Sequence, residues 1–444
     1  MDPNSIYNSS SSSDEDEGNL QMMNLFIQTQ EMMRSRIHIN NLLIQHLRDQ
    51  QSRQVTRRGS VPGHIVINRD REGAHVRLYN DYFADNPLYN EAMFRRKFRM
   101  SRSLFVRIVD AVKEHDDYFI QRQDATGRPG LSPLQKVTSA IHILTRGLLP
   151  DANDEYVKLS ESSAIKSLKR FCRAIVEIFS TQYLRAPTSS DIARLLYIGE
   201  QHGFPGMLGS LGCMHWKWQK YPIGWSSSHS GRSGNPTIIL EAIADYDLWI
   251  WHAYFGFPDT NNDVNVSASS NLFYNLTQGF APPAHYVVQG KECNMGYYLA
   301  DSIYPKWSTI VQTIEEPRTP KTEYFAMKQE ACKKDLERAI GVLQARFTIV
   351  AGPVRYWDKE ALRDIMITCI ILHNMIVEDE RDFTSPIDVA REAPQPEVEM
   401  ATNEDTRFQE YLSRYEAIRN KNAHLELRNA LIDHLWEQRS DFES

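Results

Sequence analysis

Leu208-Gly209-Ser210-Leu211-Gly212-Cys213-Met214-His215-Trp216 is the stretch on which the fold turns. It reads as a strand, and two further β-prone runs follow at 236–244 and 248–256, rich in Ile, Trp and aromatic residues. Between them, Asp245-Tyr246-Asp247 has turn composition. Three consecutive strands predict an antiparallel meander. His285-Tyr286-Val287-Val288 is expected as a fourth strand, and helical patterns follow at about 323–347 and 359–378. Strands first and flanking helices later predict a mixed α/β layer fold.

Upstream of the meander the chain is helical and strand-poor, from about 90 to 195. Ser101 or Ser103 is suited to cap a helix that opens near Met100. Pro133 stands at the first position of another, which runs to Gly147. After a break at Pro150-Asp151-Ala152-Asn153, Ile165, Leu168, Cys172, Ile175 and Val176 form one apolar stripe. Lys166, Lys169, Arg170 and Arg173 lie off it. A short helix, a turn and a basic amphipathic helix is the order of a helix-turn-helix, so these four cations are candidate DNA contacts. A helical bundle with a solvated face fits the same pattern.

The ends differ in character. Ser9 to Glu17 is a polar acidic tract that cannot form a core, followed by a helical segment at about 20–51 that ends in basic residues. An acidic, proline-containing linker follows Asp382. A last amphipathic helix at about 404–436 is expected to dock on the body. The organisation is thus 1–60 as an acidic-then-basic N-terminal segment, 85–200 helical, 203–382 α/β, 383–403 linker and 404–444 C-terminal helix. A net charge of −7 over 444 residues means that any nucleic-acid surface is local. Five scattered cysteines without a CxxC pair argue against a zinc site or disulfide framework and fit a reducing compartment. No apolar run of about 18 residues is present, so no membrane span is expected.

Three acids lie downstream of Gly212. Asp263, in a polar loop, would alone be a turn residue or helix cap. Asp301 ends an apolar, β-like approach. Glu337 borders the buried stripe of its helix, where an acid is costly unless paired or bound to a cation. Carboxylates gathered on strand ends and one helix face are what metal-assisted phosphoryl transfer requires. Two divalent cations about 3.5–4 Å apart stabilise the attacking and leaving oxygens.

The words GFPGMLGSLGCMHW, NPTIILEAIADYDLWIWHAYFG, NDVNV, GYYLADSIYP, KDLERAIGVLQARF and CIILHNMIVEDE closely resemble the PIF/Harbinger transposases, in particular the plant transposon proteins of that group. They span roughly 180 residues, from about 203 to 382. The resemblance implies an RNase H-like DDE catalytic domain, here preceded by the all-α, helix-turn-helix-like segment. It implies Asp301 and Glu337 as catalytic acids, Asp263 as a further acid near the metals, and Mg²⁺ or Mn²⁺ as cofactor. It also implies DNA as substrate, a nuclear location and a separate Myb/SANT-type protein partner. Homo-oligomerisation is compatible with it. The family's first Asp falls immediately before Cys213-Met214-His215-Trp216, where this chain has Gly212.

Glycine supplies no ligand and weakens a strand interior. His215, three positions on, is expected on the opposite strand face, and Asp245 and Asp247 at the far end of the second strand. None is expected to replace the missing acid. Three readings stand: a transposase-derived protein that binds DNA or partners without cutting, an active nuclease with relaxed metal binding, and an inactive element copy.

Overall fold

The computed structural model describes residues 69–125, 127–219, 237–258, 272, 277, 284–353, 356, 358–381 and 404–443. The N-terminal segment and Asp263 therefore lie outside the described residues. So does the 383–403 linker.

Helix starts follow the local sequence. Helices α1 (Arg71–Tyr82), α2 (Glu91–Phe98) and α3 (Arg102–His115) come first. Ser101 caps α3, its Oγ accepting the Leu104 N–H at 3.2 Å. Ser132 caps α4 (Pro133–Arg146) in a reciprocal box with Gln135, with Pro133 in the first turn where its missing N–H costs little. Gly147 ends α4 at φ 61°, a left-handed conformation that favours glycine. The expected break at 150–153 is a 3-10 turn followed by the short α5 (Asn153–Tyr156). Then come α6 (Glu161–Tyr183) and α7 (Ser189–Gln201). Residues 69–444 group into one compact unit, in which α6 packs on α3, α4 and a later helix, α10 (Lys359–Glu380).

The buried stripe of α6 differs in detail from the sequence expectation. Ala164, Leu168, Phe171, Cys172, Ile175 and Phe179 are buried, whereas Ile165 and Val176 are only half-buried. Being clasped by helices on several sides recruits Phe171 and Phe179, which a single-face reading omits. On the neighbouring helices Tyr82, Phe94, Phe98 and Phe105 bury their rings against one another; Phe94 and Phe98 stack at 4.3 Å between centroids. Each such ring contributes about 1.5–3 kcal/mol of burial.

The sheet runs in the order β3-β2-β1-β6-β7, with β1 (Met207–Lys217), β2 (Thr237–Ala244), β3 (Ile250–Pro258), β6 (Tyr297–Ala300) and β7 (Ile310–Gln312). The predicted meander is present: β1 pairs antiparallel with β2, and β2 with β3. β6 then pairs parallel with β1, and β7 parallel with β6. The expected strand at 285–288 forms, but as β4 (Tyr286–Val288) in a separate hairpin with β5 (Lys291–Cys293). The positive φ of Gln289 and Gly290 turns that pair on itself, away from the main sheet.

The later helices are α8 (Pro320–Arg346), the short α9 (Thr348–Ala351) and α10. Helix α8 starts earlier than the apolar pattern suggests because Thr319 and Thr322 form a capping box ahead of Pro320. The terminal helix is two helices, α11 (Glu404–Arg419) and α12 (Lys421–Glu443), divided where Asn420 caps α12 by accepting the Ala423 N–H. Docking on the body is as expected: Leu431, Ile432 and Leu435 bury against Phe204, Met207, Tyr297 and Phe325. No helix among the described residues is long and apolar enough to cross a membrane.

Two polar joints bind helices to sheet. The fully buried Asn374 amide donates to Tyr183 O and Ile250 O, each at 2.8 Å, and accepts the Ile250 N–H at 2.9 Å. This satisfies backbone groups at the start of edge strand β3. At the β2–β3 turn, Asp245 is buried and accepts from Arg194 at 2.8 Å, from the Trp251 indole N–H at 3.0 Å and from the Trp249 N–H at 3.0 Å. Arg194→Ala strands that carboxylate without its counter-charge. It should cost about 3 kcal/mol or more, read as a lower urea midpoint; a loss below about 1 kcal/mol would contradict the assignment.

His373 on α10 donates from Nε2 to Leu248 O at 2.8 Å and accepts at Nδ1 from Arg346 at 3.2 Å, a pattern only the neutral ring satisfies. Burial, reinforced by Arg346, pushes its pKa down to about 3. His142 on α4 is lowered to about 3 by burial with Arg146 and Lys97 beside it. An unfolded histidine titrates near ~6.5 and so binds more protons than the folded one between these values. Stability is therefore full above about pH 6.5 and is lost as the pH falls. Thermal unfolding from about pH 7.5 to about 5 should show a falling Tm, with a shallower slope in His373→Gln. Parallel slopes in the two proteins would refute this role.

Candidate functional site

The site is built from one strand interior, one strand end and one helix face. Gly212 sits buried in the middle of β1, opposite Ala242 of β2. The parallel pairing of β1 with β6 sets Ser210 beside Leu299, so Asp301 leaves the carboxyl end of β6 next to β1. Helix α8 packs over β1, and Glu337 faces inward from it. Gly212, Asp301 and Glu337 thereby line one cleft of about 390 Å³. Three positions far apart in the chain, selected from sequence, share a single site. Asp263 lies outside the described residues, and none of the four α6 cations lines this cleft.

Two lining residues escaped the sequence reading. The Lys333 Nζ is ion-paired with Asp301 Oδ1, and its side chain is only 15% exposed. Leu336 approaches the glycine from α8: a Cβ built on Gly212 would lie 2.9 Å from its Cδ2. Lys333, Leu336 and Glu337 are spaced i, i+3 and i+4, one face of a helix. That spacing was the available signal, but it does not say which neighbour the face will meet.

Other candidates for a replacement acid are turned elsewhere. Strand alternation directs Glu241 to the sheet face opposite Ala242. There it is fully buried, 3.8 Å from His252 Nε2. Asp245 and Asp247 are bound to Arg194. Asp335, also on α8, is drawn to Arg338 at 3.3 Å, and burial pushes its carboxyl above the ordinary range. His215 is exposed and borders the cleft from the strand face opposite Gly212. Among the described residues, no group of three or more His, Cys, Asp or Glu side chains could hold a metal ion. Among the described residues the cleft offers two carboxylates, one of them paired with an ammonium, fewer than the three or four oxygen ligands that a two-cation centre needs.

The candidate DNA-binding cations on α6 all have intramolecular partners. Lys166 lies over the Tyr118 ring, 5.3 Å from its centroid. Lys169 pairs with Asp358 at 3.2 Å, Arg170 with Asp116 at 2.8 Å and Arg173 with Glu177 at 2.9 Å. Lys169 and Arg173 are exposed and Arg170 half-buried, and such pairs are worth at most about 1 kcal/mol each, so a phosphate could displace the carboxylates. The five cysteines are free, consistent with the absence of a disulfide framework.

The family profile described as plant transposon protein matches residues 181–384, which contain the whole sheet and every cleft residue. Over those residues the chain is similar to plant transposon proteins. The Harbinger-type resemblance drawn from the sequence words is thereby borne out. A second profile, a domain of unknown function, matches residues 75–113 in the helical part. Among curated proteins, "Protein ALP1-like" of Arabidopsis thaliana is 24% identical over 295 residues, 65% of this chain and 71% of that protein. The candidate nuclease HARBI1 of Xenopus laevis is 22% identical over 296 residues, 65% of this chain and 80% of its own length. No solved structure matches.

Proposed function

We propose that this plant transposon protein domain is an RNase H-like DDE scaffold, and that the chain is a Harbinger transposase-derived nuclear protein which binds DNA and a protein partner but has lost most or all of its cutting activity. The observation that carries the reading is Gly212. A central strand, the end of its parallel neighbour and a covering helix converge on one cleft, as a DDE site requires, and the central strand contributes no carboxylate. Sheet order β3-β2-β1-β6-β7, with an antiparallel first half and a parallel second half, supports the RNase H-like assignment.

Bound in such a site, a divalent cation, Mg²⁺ or Mn²⁺, would supply Lewis acidity to the phosphodiester. Asp301, Glu337 and Asp263 are the residues available as ligands. Loss of one group that contributes a few kcal/mol in the transition state lowers the rate by several powers of ten. The purified chain, incubated with supercoiled plasmid and Mn²⁺, is expected to nick no faster than Glu337→Ala. Metal-dependent nicking that Glu337→Ala abolishes would establish the competing reading, an active endonuclease, which rests on Asp301 and Glu337 sharing the cleft.

DNA binding on this reading uses Lys166, Lys169, Arg170 and Arg173, with a Myb/SANT-type protein as the expected partner. Each cation that exchanges its carboxylate for a phosphate contributes to the salt slope. Lys166→Glu with Lys169→Glu should weaken binding to any duplex and lower the slope of log K against log salt by about 2. An unchanged slope in fluorescence anisotropy removes α6 from the interface.

A further inference from the structure

We infer that α8 has adapted to the vacated position: Leu336 leans into the place where a side chain at 212 would begin, and the Lys333 ammonium holds Asp301 where it would otherwise meet a cation. This rests on the reading of the cleft as a metal-impaired DDE site, and it goes further, because a site that is merely missing one ligand would be restored by returning that ligand. Here the return is obstructed twice. The first obstruction is volume. Any side chain at 212 begins with a Cβ 2.9 Å from Leu336 Cδ2, closer than real Cβ atoms come to a neighbour, so the leucine must move before a carboxylate fits. The contact is made by one atom at the end of a flexible side chain and not by backbone, so a rotation or a shortening of that one residue relieves it. The second obstruction is charge. The Lys333 side chain is largely buried and bound to Asp301, which gives that carboxylate a counter-charge without any metal.

The two residues belong to one helical face with Glu337, so a single element carries a surviving acid, the plug and the internal cation. Leu336 is a half-buried hydrophobic residue packed against the main core, which the glycine leaves room for. The pair Gly212 and Leu336 is then mutually fitted: each suits the cleft only in the presence of the other. The pair predicts a reversal of sign that requires no metal to observe.

The experiment is a cycle on the full chain: wild type, L336V, G212D, G212D/L336V and G212D/L336V/K333M. In chelator, L336V should lower the Tm when residue 212 is glycine, by opening space, and raise it when residue 212 is aspartate, by removing the clash. In calorimetric titration with Mn²⁺, affinity should rise about ten-fold from G212D to G212D/L336V, and again when K333M is added. If G212D aggregates while G212D/L336V folds, the plug is supported. Equal Tm losses from L336V in both backgrounds, equal Mn²⁺ affinity of G212D and the triple variant, or failure of both aspartate variants to fold would each overturn the inference. Mn²⁺ binding by the wild-type chain that E337Q abolishes would instead overturn the impaired-site reading, while the metal-free cycle still reports on Leu336.

Discussion

The Asn374 side chain is the joint on which the arrangement of layers depends. Its amide is fully buried, and its three hydrogen bonds reach the last residue of one long helix and both backbone groups of the first residue in the edge strand. An amide buried without partners is costly, and losing any of these contacts would leave several buried polar groups unsatisfied together. The helical part and the sheet are therefore registered against each other by geometry as well as by apolar burial. Arg194 and Asp245 do the same in the adjoining β2–β3 turn, where a buried ion pair is backed by two tryptophan donors, one indole and one backbone. With the turn end of the hairpin held by both joints, and β1 paired to β2 on one side and β6 on the other, the cleft inherits its shape from that position.

Within the cleft, chemistry and packing have moved together. A strand-interior glycine normally weakens a sheet, yet Gly212 lies in an unbroken antiparallel register from Ser210 to Lys217. Leu336 of α8 leans toward the space that it leaves, and Lys333 of the same helix pairs with Asp301. The strand thus remains coherent at a position where glycine would by itself weaken it. The similarity to plant transposon proteins covers this same sheet-bearing segment.

Much of the fold was legible in the chain because it rests on local physics. Ser101, Ser132 with Pro133, and Gly147 mark helix ends through hydrogen bonds to neighbours a few residues away. The meander followed from β-prone runs separated by a short acidic turn. Misreadings arose where a distant contact decides. The strand at 286–288 is right in kind but joins its own hairpin, and the short β7 carries too few residues for a periodic signal. Half of the buried face of α6 depends on helices on several sides of it, which no single-stripe reading anticipates.

The site shows the same division. Sequence by itself determined which positions to look at, Gly212, Asp301 and Glu337, because residue identity at a recognisable word survives without coordinates. Only the tertiary structure decided what those residues meet. Lys333 and Leu336 became part of the site through the packing of α8 across β1, and the basic residues of α6 acquired partners as remote as Asp358 and Asp116. Side-chain identity is local information, whereas occupancy of a cavity and compensation of a charge are set by whichever element the fold brings against it.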